Sequence, residues 1–306
     1  AENNTKTCPV DLTDCPLEGK QKEQLNSLLT EFSDCFVSPT DQKLGLTDLT
    51  ECRIDTVPGT TPVCKYPYKQ TPPLREAMIK IVEDQVKKDI IEPSDDGAWA
   101  SPALLVKKAN GTFRLVIDYR GLNAATIPMK LRIPRIEEVF DTIGEQSPKY
   151  FSVLDCTQGF HQVPLHPDSR DKTAFITPIG KYRYKTMPQG MRNAPCVFQS
   201  LMDRVLRGIQ LRYCMCYLDD ICIFSSTFEQ HLAHIREVLT RIRSAKLKLH
   251  PKKCKFAMPQ VNYLGHILTP EGIKPNPVKV SAILDYPRPR KLKHVRGFLG
   301  MVGYYR

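Results

Sequence analysis

Three carboxylates are the residues best placed to do chemistry. Asp219 and Asp220 sit together in YCMCYLDDICIF (213–224), between two strongly apolar half-strands. Asp155 ends a separate short run, YFSVLD (150–155), 64 positions before Asp219. Burying two like charges side by side costs several kcal/mol unless a cation compensates. The plain alternative is an ordinary Asp-rich turn with both acids in water, although Asp-Asp lacks the Gly that two-residue hairpin loops prefer. If the two strands are sheet neighbours, the three acids meet at one edge. Three hard oxygen donors on a rigid sheet suit Mg²⁺, which keeps waters and takes substrate phosphates as its other ligands. Two such ions about 4 Å apart could activate a hydroxyl and stabilise a departing pyrophosphate.

The elements that must position these acids are legible in part. Residues 1–50 read as loosely structured, apart from Leu25, Leu28, Leu29 and Phe32, an i, i+3, i+4, i+7 stripe on a short helix. Residues 51–70 read as extended chain. Thr71-Pro72 starts a helix with Thr as its cap and Met78, Val82, Val86 and Ile90 as its apolar face. ALLVKKANGTFRLVID (103–118) is a hairpin around Asn110-Gly111, with Lys107, Lys108 and Arg114 near the turn. These cations either protect a solvated edge or form a flap over an anionic ligand. After a turn at Pro188-Gln189-Gly190, a helix is capped by Asn193 and buries Phe198, Leu201, Met202, Val205 and Ile209. Ser226-x-x-Glu229 reads as a capping box for the helix carrying Leu232, Ile235, Val238, Leu239 and Ile242. The chain stops inside a further helix, FLGMVGYYR. Strands and helices mix without a βαβ rhythm, so the class expected is α+β with a largely antiparallel sheet.

The chain has 306 residues and a net charge of +11, which is a prior for about two domains. Residues 241–306 hold 15 Lys/Arg and 2 Asp/Glu, whereas residues 1–50 hold 4 Lys and 9 acids. A basic lobe suits a phosphate backbone, because each neutralised phosphate releases a counterion; a solvated basic face is the plain alternative. Eleven cysteines show no Cys-x-x-Cys pair, which argues against zinc and for reduced intracellular thiols. No apolar run approaches the length of a membrane helix, and no signal peptide is visible. The absence of Gly-x-Gly-x-x-Gly and Walker motifs leaves dinucleotide and P-loop chemistry unsupported.

Longer blocks carry a resemblance. They are WASPALLVKKANGTFRLVIDYRGLN (99–123), FSVLDCTQGFHQVPL (151–165), KTAFITPIGKYRYKTMPQGMRNAPCVFQSLMD (172–203), YLDDICIFS (217–225), HPKKCKFAMPQVNYLGHIL (250–268) and FLGMVGYYR (298–306). In this order they resemble the reverse transcriptase domain of LTR-retrotransposon polyproteins, most of all the gypsy class, over about residues 60–306. The resemblance implies a right-hand polymerase fold with fingers, an antiparallel palm sheet and a partial thumb. Fingers would be 60–127 and 164–193, palm 128–163 and 194–268, and a truncated thumb 269–306. Residues 1–59 would be an N-terminal extension that follows the protease in such polyproteins.

The resemblance also implies roles. Asp155, Asp219 and Asp220 match the catalytic acids that bind two Mg²⁺ ions, with Mn²⁺ as a substitute. The Cys156 carbonyl would complete one ion's coordination. Lys107 or Lys108, with Arg114, matches the grip on the incoming triphosphate. Gln189 matches a contact to the nucleotide's sugar and phosphates, and Phe160 the aromatic gate against a 2′-hydroxyl. Tyr217 and Leu218 would lie against the primer end and template base. Tyr263, Leu264, Gly265 and His266 match the primer grip, and Gly300 and Tyr304 the thumb track along the minor groove. Lys252 and Lys253 would contact phosphate or donate a proton. Each has a bland reading too: Phe160 as core, Gln189 as a turn residue, Arg114 in a weak surface ion pair.

The activity implied is RNA-directed DNA synthesis, with an RNA template, a DNA template/primer and deoxynucleoside triphosphates as partners and no membrane. RNase H and integrase segments of the polyprotein would be absent from this chain. The work would take place in cytoplasmic retroelement particles or in the nucleus. The rivals are an inactive nucleic-acid-binding remnant of such a polymerase, and an RNA-dependent RNA polymerase, which would put a small or polar residue where Phe160 stands.

Overall fold

Short apolar runs punctuated by Gly, Pro and Asn pair into three small sheets, and longer amphipathic runs wind into helices against them. The computed structural model describes residues 7–94, 96–130 and 133–304. The beginning of the N-terminal extension (1–6) and the last two residues of the final block lie outside the described residues. In chain order the elements are α1 (Gly19–Glu31), α2 (Pro72–Lys87), β1 (Ile91–Pro93), β2 (Ser101–Lys107), β3 (Phe113–Ile117), α3 (Arg120–Ala125) and α4 (Ile136–Gly144). There follow β4 (Tyr150–Asp155), α5 (Pro167–Arg170), β5 (Phe175–Thr177), β6 (Gly180–Tyr184), α6 (Ala194–Val205), β7 (Cys214–Tyr217), β8 (Asp220–Ser225) and α7 (Phe228–Ser244). The chain continues through β9 (Lys255–Met258), β10 (Val261–Tyr263), β11 (His266–Thr269), β12 (Gly272–Pro275), α8 (Pro277–Leu284) and α9 (Leu292–Gly303).

The sheets have the strand orders β1-β6-β5-β2-β3, β7-β8-β4-β9 and β10-β11-β12. All their pairings are antiparallel except β2 with β5. The α+β class read from the sequence is therefore the class observed. The β2–β3 hairpin forms where the Asn-Gly signal places it, but its connection is longer than two residues: Lys107 pairs with Phe113, Lys108 N donates to Thr112 O (2.7 Å), and Gly111 alone of the pair takes positive φ, at +83°. Behind β8, α7 buries Ile235, Val238, Leu239 and Ile242 completely, with Leu232 half-buried. Each such side chain contributes roughly 1.5–3 kcal/mol of burial free energy.

Several local expectations are corrected. The stretch 1–50 is not loose where described: Val10, Leu12, Cys15, Leu17, Cys35 and Phe36 all join the main core. Its apolar residues carry no helix or strand period, and only the tertiary fold supplies the surface that buries them. Val86 is 38 % exposed, whereas Met78 and Val82 are buried. A strict four-residue spacing drifts about 40° per step against a 3.6-residue turn, so the stripe rotates off the packed face. Ile90 is buried but lies beyond the helix end. Thr71 precedes α2 without a capping side-chain bond, and Pro sits in the first turn instead. Asn193 does not cap α6; its amide accepts from Met129 N (3.0 Å) and donates to Ile127 O (2.8 Å). The cap of α7 is Thr227, which accepts from Gln230 N (3.3 Å), so the Ser226–Glu229 box is off by one residue.

Candidate active site

β4 and β8 are central neighbours, and their register sets Asp155 directly opposite Asp220. Directly opposed residues of an antiparallel pair project from the same face, so both carboxylates belong to one sheet surface. Tyr217 pairs with Asp220, which makes Leu218-Asp219 the two-residue turn. The expectation of an Asp-Asp tip is thus corrected: Asp219 occupies the tip and Asp220 begins the strand. The Cys156 N–H donates to Asp219 O (3.1 Å), fastening the turn to the end of β4.

Leu218 adopts φ +55°, a left-handed conformation that costs a branched residue free energy. Gln199 of α6, 1 % exposed, holds it there. Its Oε1 accepts from Leu218 N (2.8 Å), and its Nε2 donates to Cys216 O (3.2 Å) and Asp203 Oδ1 (2.9 Å). Sequence reasoning passed over Gln199, although a polar residue beside Phe198 on a buried helix face was a legible signal. Gln199→Ala leaves the Leu218 donor and the Cys216 acceptor without these partners. A stability loss of roughly 2–4 kcal/mol is expected in urea denaturation. A loss below about 1 kcal/mol would deny Gln199 this bracing role.

Burial and the neighbouring charges of Asp219 and Asp155 push the Asp220 carboxyl up to about 6. Burial also raises Asp155, opposed by Lys253 and reinforced by Asp219. Lys253 Nζ lies 3.6 Å from Asp155 Oδ1. Among the described residues no three acidic, His or Cys side chains are gathered tightly enough to cage a metal ion alone. An open set of mutually repelling carboxylates nevertheless fits a hard divalent cation that completes its shell with water and phosphate oxygens.

The other candidate residues fall into groups. Lys107, Lys108 and Arg114 are exposed on the β2–β3 hairpin. Lys108 and Asn110 line a cavity of about 650 Å³ together with Thr157, Gln158, Lys252 and Lys253. This cavity adjoins Asp155 through Lys253. Gln189 is exposed in the turn before α6, where Gly190 has φ +87° and its carbonyl accepts from Asn123 Nδ2 (2.8 Å). Phe160 is half-buried, its ring 5.7 Å from that of Phe198. The Cys156 thiol is buried, and burial holds its pKa far above the ordinary value. Tyr217 and Leu218 are half-buried at the β7–β8 turn.

Tyr263 is buried, and its hydroxyl donates to Asp220 O (3.0 Å), tying the β10–β11 hairpin to the acid-bearing strand. Leu264 and Gly265 form the hairpin's left-handed turn at φ +49° and +74°. The His266 ring packs on Phe140 (4.5 Å) and Tyr304 (5.7 Å), and the Tyr304 hydroxyl donates to Leu264 O. Gly300 lies on α9 with open space where a Cβ would stand. The structure thus gathers the three acids with Cys156, Lys253 and Tyr263 around one sheet edge. It sets the hairpin cations, Gln189 and the α9 residues on separate elements.

The family described as reverse transcriptase (RNA-dependent DNA polymerase) matches residues 106–268. The chain is 40 % identical over 296 residues, 95 % of its length, to the retrovirus-related Pol polyprotein from transposon 297 of Drosophila melanogaster. It is 34 % identical over 98 % of its length to that from transposon gypsy of the same fly. It spans 27 % and 30 % of these relatives, so it corresponds to less than a third of either polyprotein. Among solved structures, a foamy viral protease–reverse transcriptase in complex with double-stranded DNA has the same fold. Its TM-score is 0.85 at 23 % identity, over 95 % of this chain and 50 % of that one. The foamy viral enzyme in complex with an RNA/DNA hybrid gives 0.84 at 22 %, over 95 % of this chain and 38 % of that one. With half of its length matched to the family's pattern and its acids set at one sheet edge, this chain belongs to the reverse transcriptase (RNA-dependent DNA polymerase) family.

Proposed function

We propose that this chain extends a primer 3′-hydroxyl with deoxynucleotides, copying RNA and DNA templates of a retroelement. The observation that carries this reading is the cross-strand pairing of Asp155 with Asp220, with Asp219 at the adjoining tip. Asp155 and Asp219 would hold two Mg²⁺ ions, with Mn²⁺ as a substitute, and Asp220 and the Cys156 carbonyl would support the site. Magnesium bound there supplies a Lewis acid that lowers the pKa of the 3′-hydroxyl and neutralises charge on the departing pyrophosphate.

The chain's own residues position the reactants. Lys107, Lys108 and Arg114 hold the triphosphate for in-line displacement, where catalysis is chiefly placement and charge neutralisation. Gln189 contacts the nucleotide, and Phe160 packs under its sugar to exclude a 2′-hydroxyl. Tyr263, Leu264, Gly265 and His266 set the primer end, and Lys252, Gly300 and Tyr304 follow the duplex backbone. Base pairing reads the template, so the protein grips backbone and shape.

The division into fingers (60–127 and 164–193), palm (128–163 and 194–268) and thumb (269–306) is supported by the sheets. β1, β6, β5, β2 and β3 all fall in the first part, and β7, β8, β4 and β9 all in the second. The β10-β11-β12 sheet straddles residues 268 and 269. Cytoplasmic retroelement particles are the corresponding place of work.

The test is primer extension on RNA and DNA templates with and without Mg²⁺. Deoxynucleotide incorporation on both templates, abolished by chelation, is expected. Duplex binding with no incorporation at any Mg²⁺ concentration would reject the reading.

A further inference from the structure

The cavity beside Asp155 has a wall that the catalytic motifs do not supply. Val37, Ser38, Pro39, Gln42 and Leu44 line it, facing a space shared with Lys108, Lys252 and Lys253. This N-terminal segment is built into the palm strands. Phe36 bridges Leu249, Val37 N donates to Leu249 O (3.0 Å), and Leu249 N donates to Cys35 O (2.8 Å). Farther along, a Cβ on Gly45 would stand 2.2 Å from Lys246 O and 2.7 Å from Gln162 Oε1. Only glycine allows the backbones to approach this closely.

Gln162, fully buried, locks the junction. Its Nε2 donates to Thr157 O (2.7 Å) and Lys248 O (2.8 Å), its Oε1 accepts from Lys248 N (2.7 Å), and its carbonyl accepts from Thr47 N (2.9 Å). On the hairpin side, Lys88 Nζ at the end of α2 reaches Gln42 Oε1 (3.5 Å). The segment therefore spans from the acid-bearing sheet to the helix behind the cationic hairpin.

Independent of the segment, two polar atoms of residues in the same cavity wall are shielded and lack a hydrogen-bond partner: Thr157 Oγ1 and His250 Nδ1. Buried polar groups are nearly always paired, and an orphan marks a place where a ligand or water completes the site. Three lysines, a serine hydroxyl and a glutamine amide around such a space select a polyanion with many acceptor oxygens.

We propose that residues 37–45 form part of the nucleotide site, walling the pocket for the β- and γ-phosphates of the incoming nucleotide, with Gly45 as the anchor of that wall. This rests on the polymerase reading and adds to it a segment outside the matched family pattern. Ser38 and Gln42 contribute polar contacts to the phosphates, and Gly45 positions them.

The experiment compares the full chain with Gly45→Ala and with Ser38→Ala/Gln42→Ala, a double change that removes the Ser38–Thr40 and Gln42–Lys88 hydrogen bonds but leaves the Gly45–Gln162–Lys246 junction untouched. Steady-state extension gives KM and kcat for the deoxynucleotide, and calorimetry gives affinity for inorganic tripolyphosphate without primer. The expected result is a KM rise of about tenfold for Gly45→Ala and about threefold for the double variant, each larger than the fall in kcat. Tripolyphosphate binding should weaken in parallel. A purely structural role would lower the active fraction and leave KM alone. A KM and a tripolyphosphate affinity within twofold of the parent in the double variant would overturn the proposal, including where Gly45→Ala fails to fold. If the parent itself incorporates no nucleotide, the polymerase reading falls by itself. The tripolyphosphate comparison then still decides whether this wall binds polyphosphate.

Discussion

Changing Asp219 to Asn is expected to reduce primer extension by on the order of a thousandfold or more, with duplex affinity held within about threefold. The substitution is nearly isosteric and removes one charge at the tip of the β7–β8 turn. The tip is held by backbone and Gln199: the Asp219 carbonyl accepts from Cys156 N, and Leu218 N donates to Gln199. Neither bond involves the Asp219 side chain, so the fold should persist while the hard anionic donor is lost. Single-turnover incorporation and duplex binding, measured on one preparation, separate these effects. Incorporation near the parent rate would place the reaction centre elsewhere. A parallel loss of duplex binding would mean that the turn itself had collapsed.

The second large effect is a loss of stability in mild acid. His231 is fully buried between Ser152 Oγ (2.7 Å) and Ser225 Oγ (2.8 Å), and burial, aided by His234, pulls its pKa down to about 3. His161, buried and stacked on Tyr184, is lowered to about 4 by burial. In the unfolded chain both titrate near 6.5, so below that pH the unfolded state binds more protons and stability falls. At pH 5 the two together forfeit about 4 kcal/mol.

Asp220 works in the opposite direction. Its folded pKa of about 6 lies above the unfolded value, so protonation below pH 6 relieves a strain present at neutral pH. That relief returns roughly 1 kcal/mol at pH 5. Asp118, held low by Arg120, loses its contribution only below about pH 4, outside this window. Urea denaturation at pH 7 and pH 5 should therefore show the parent less stable by about 2–3 kcal/mol at pH 5. Asp220→Asn should deepen the drop by about 1 kcal/mol while raising stability at pH 7. A parent equally stable at both pH values would show that neither histidine stays neutral in the folded chain.

Much of the site was legible before any coordinates. YFSVLD reads as one strand and YCMCYLDDICIF as two half-strands, and all three became neighbouring strands of the same sheet. The Asn110-Gly111 hairpin was equally local, because its strands are joined by only residues 108–112, with Lys107 opposite Phe113. The errors arose where a local signal competed with distant partners. Asn193 looked like a helix cap, yet its amide is claimed by Ile127 and Met129, 66 and 64 positions away. Outside the Leu25–Phe32 stripe, residues 1–50 lacked periodicity and so looked loose, yet Val10, Leu12, Cys15, Leu17, Cys35 and Phe36 join the same core as α6 and α7.

The amino-acid order alone determined the carboxylates, their strands, the cationic hairpin and the α+β class, because each depends on chemistry within a dozen residues. Three features were decided only by tertiary structure: which residue occupies the turn beside Asp220, the brace from Gln199, and the close approach of Gly45 to Lys246. The turn is fastened by Cys156 N–H to Asp219 O, the brace reaches across 19 positions, and Gly45 meets a backbone 201 positions away. Such contacts are set by the packing of whole elements, and no local pattern encodes which distant group arrives to satisfy a given donor or fill a given gap.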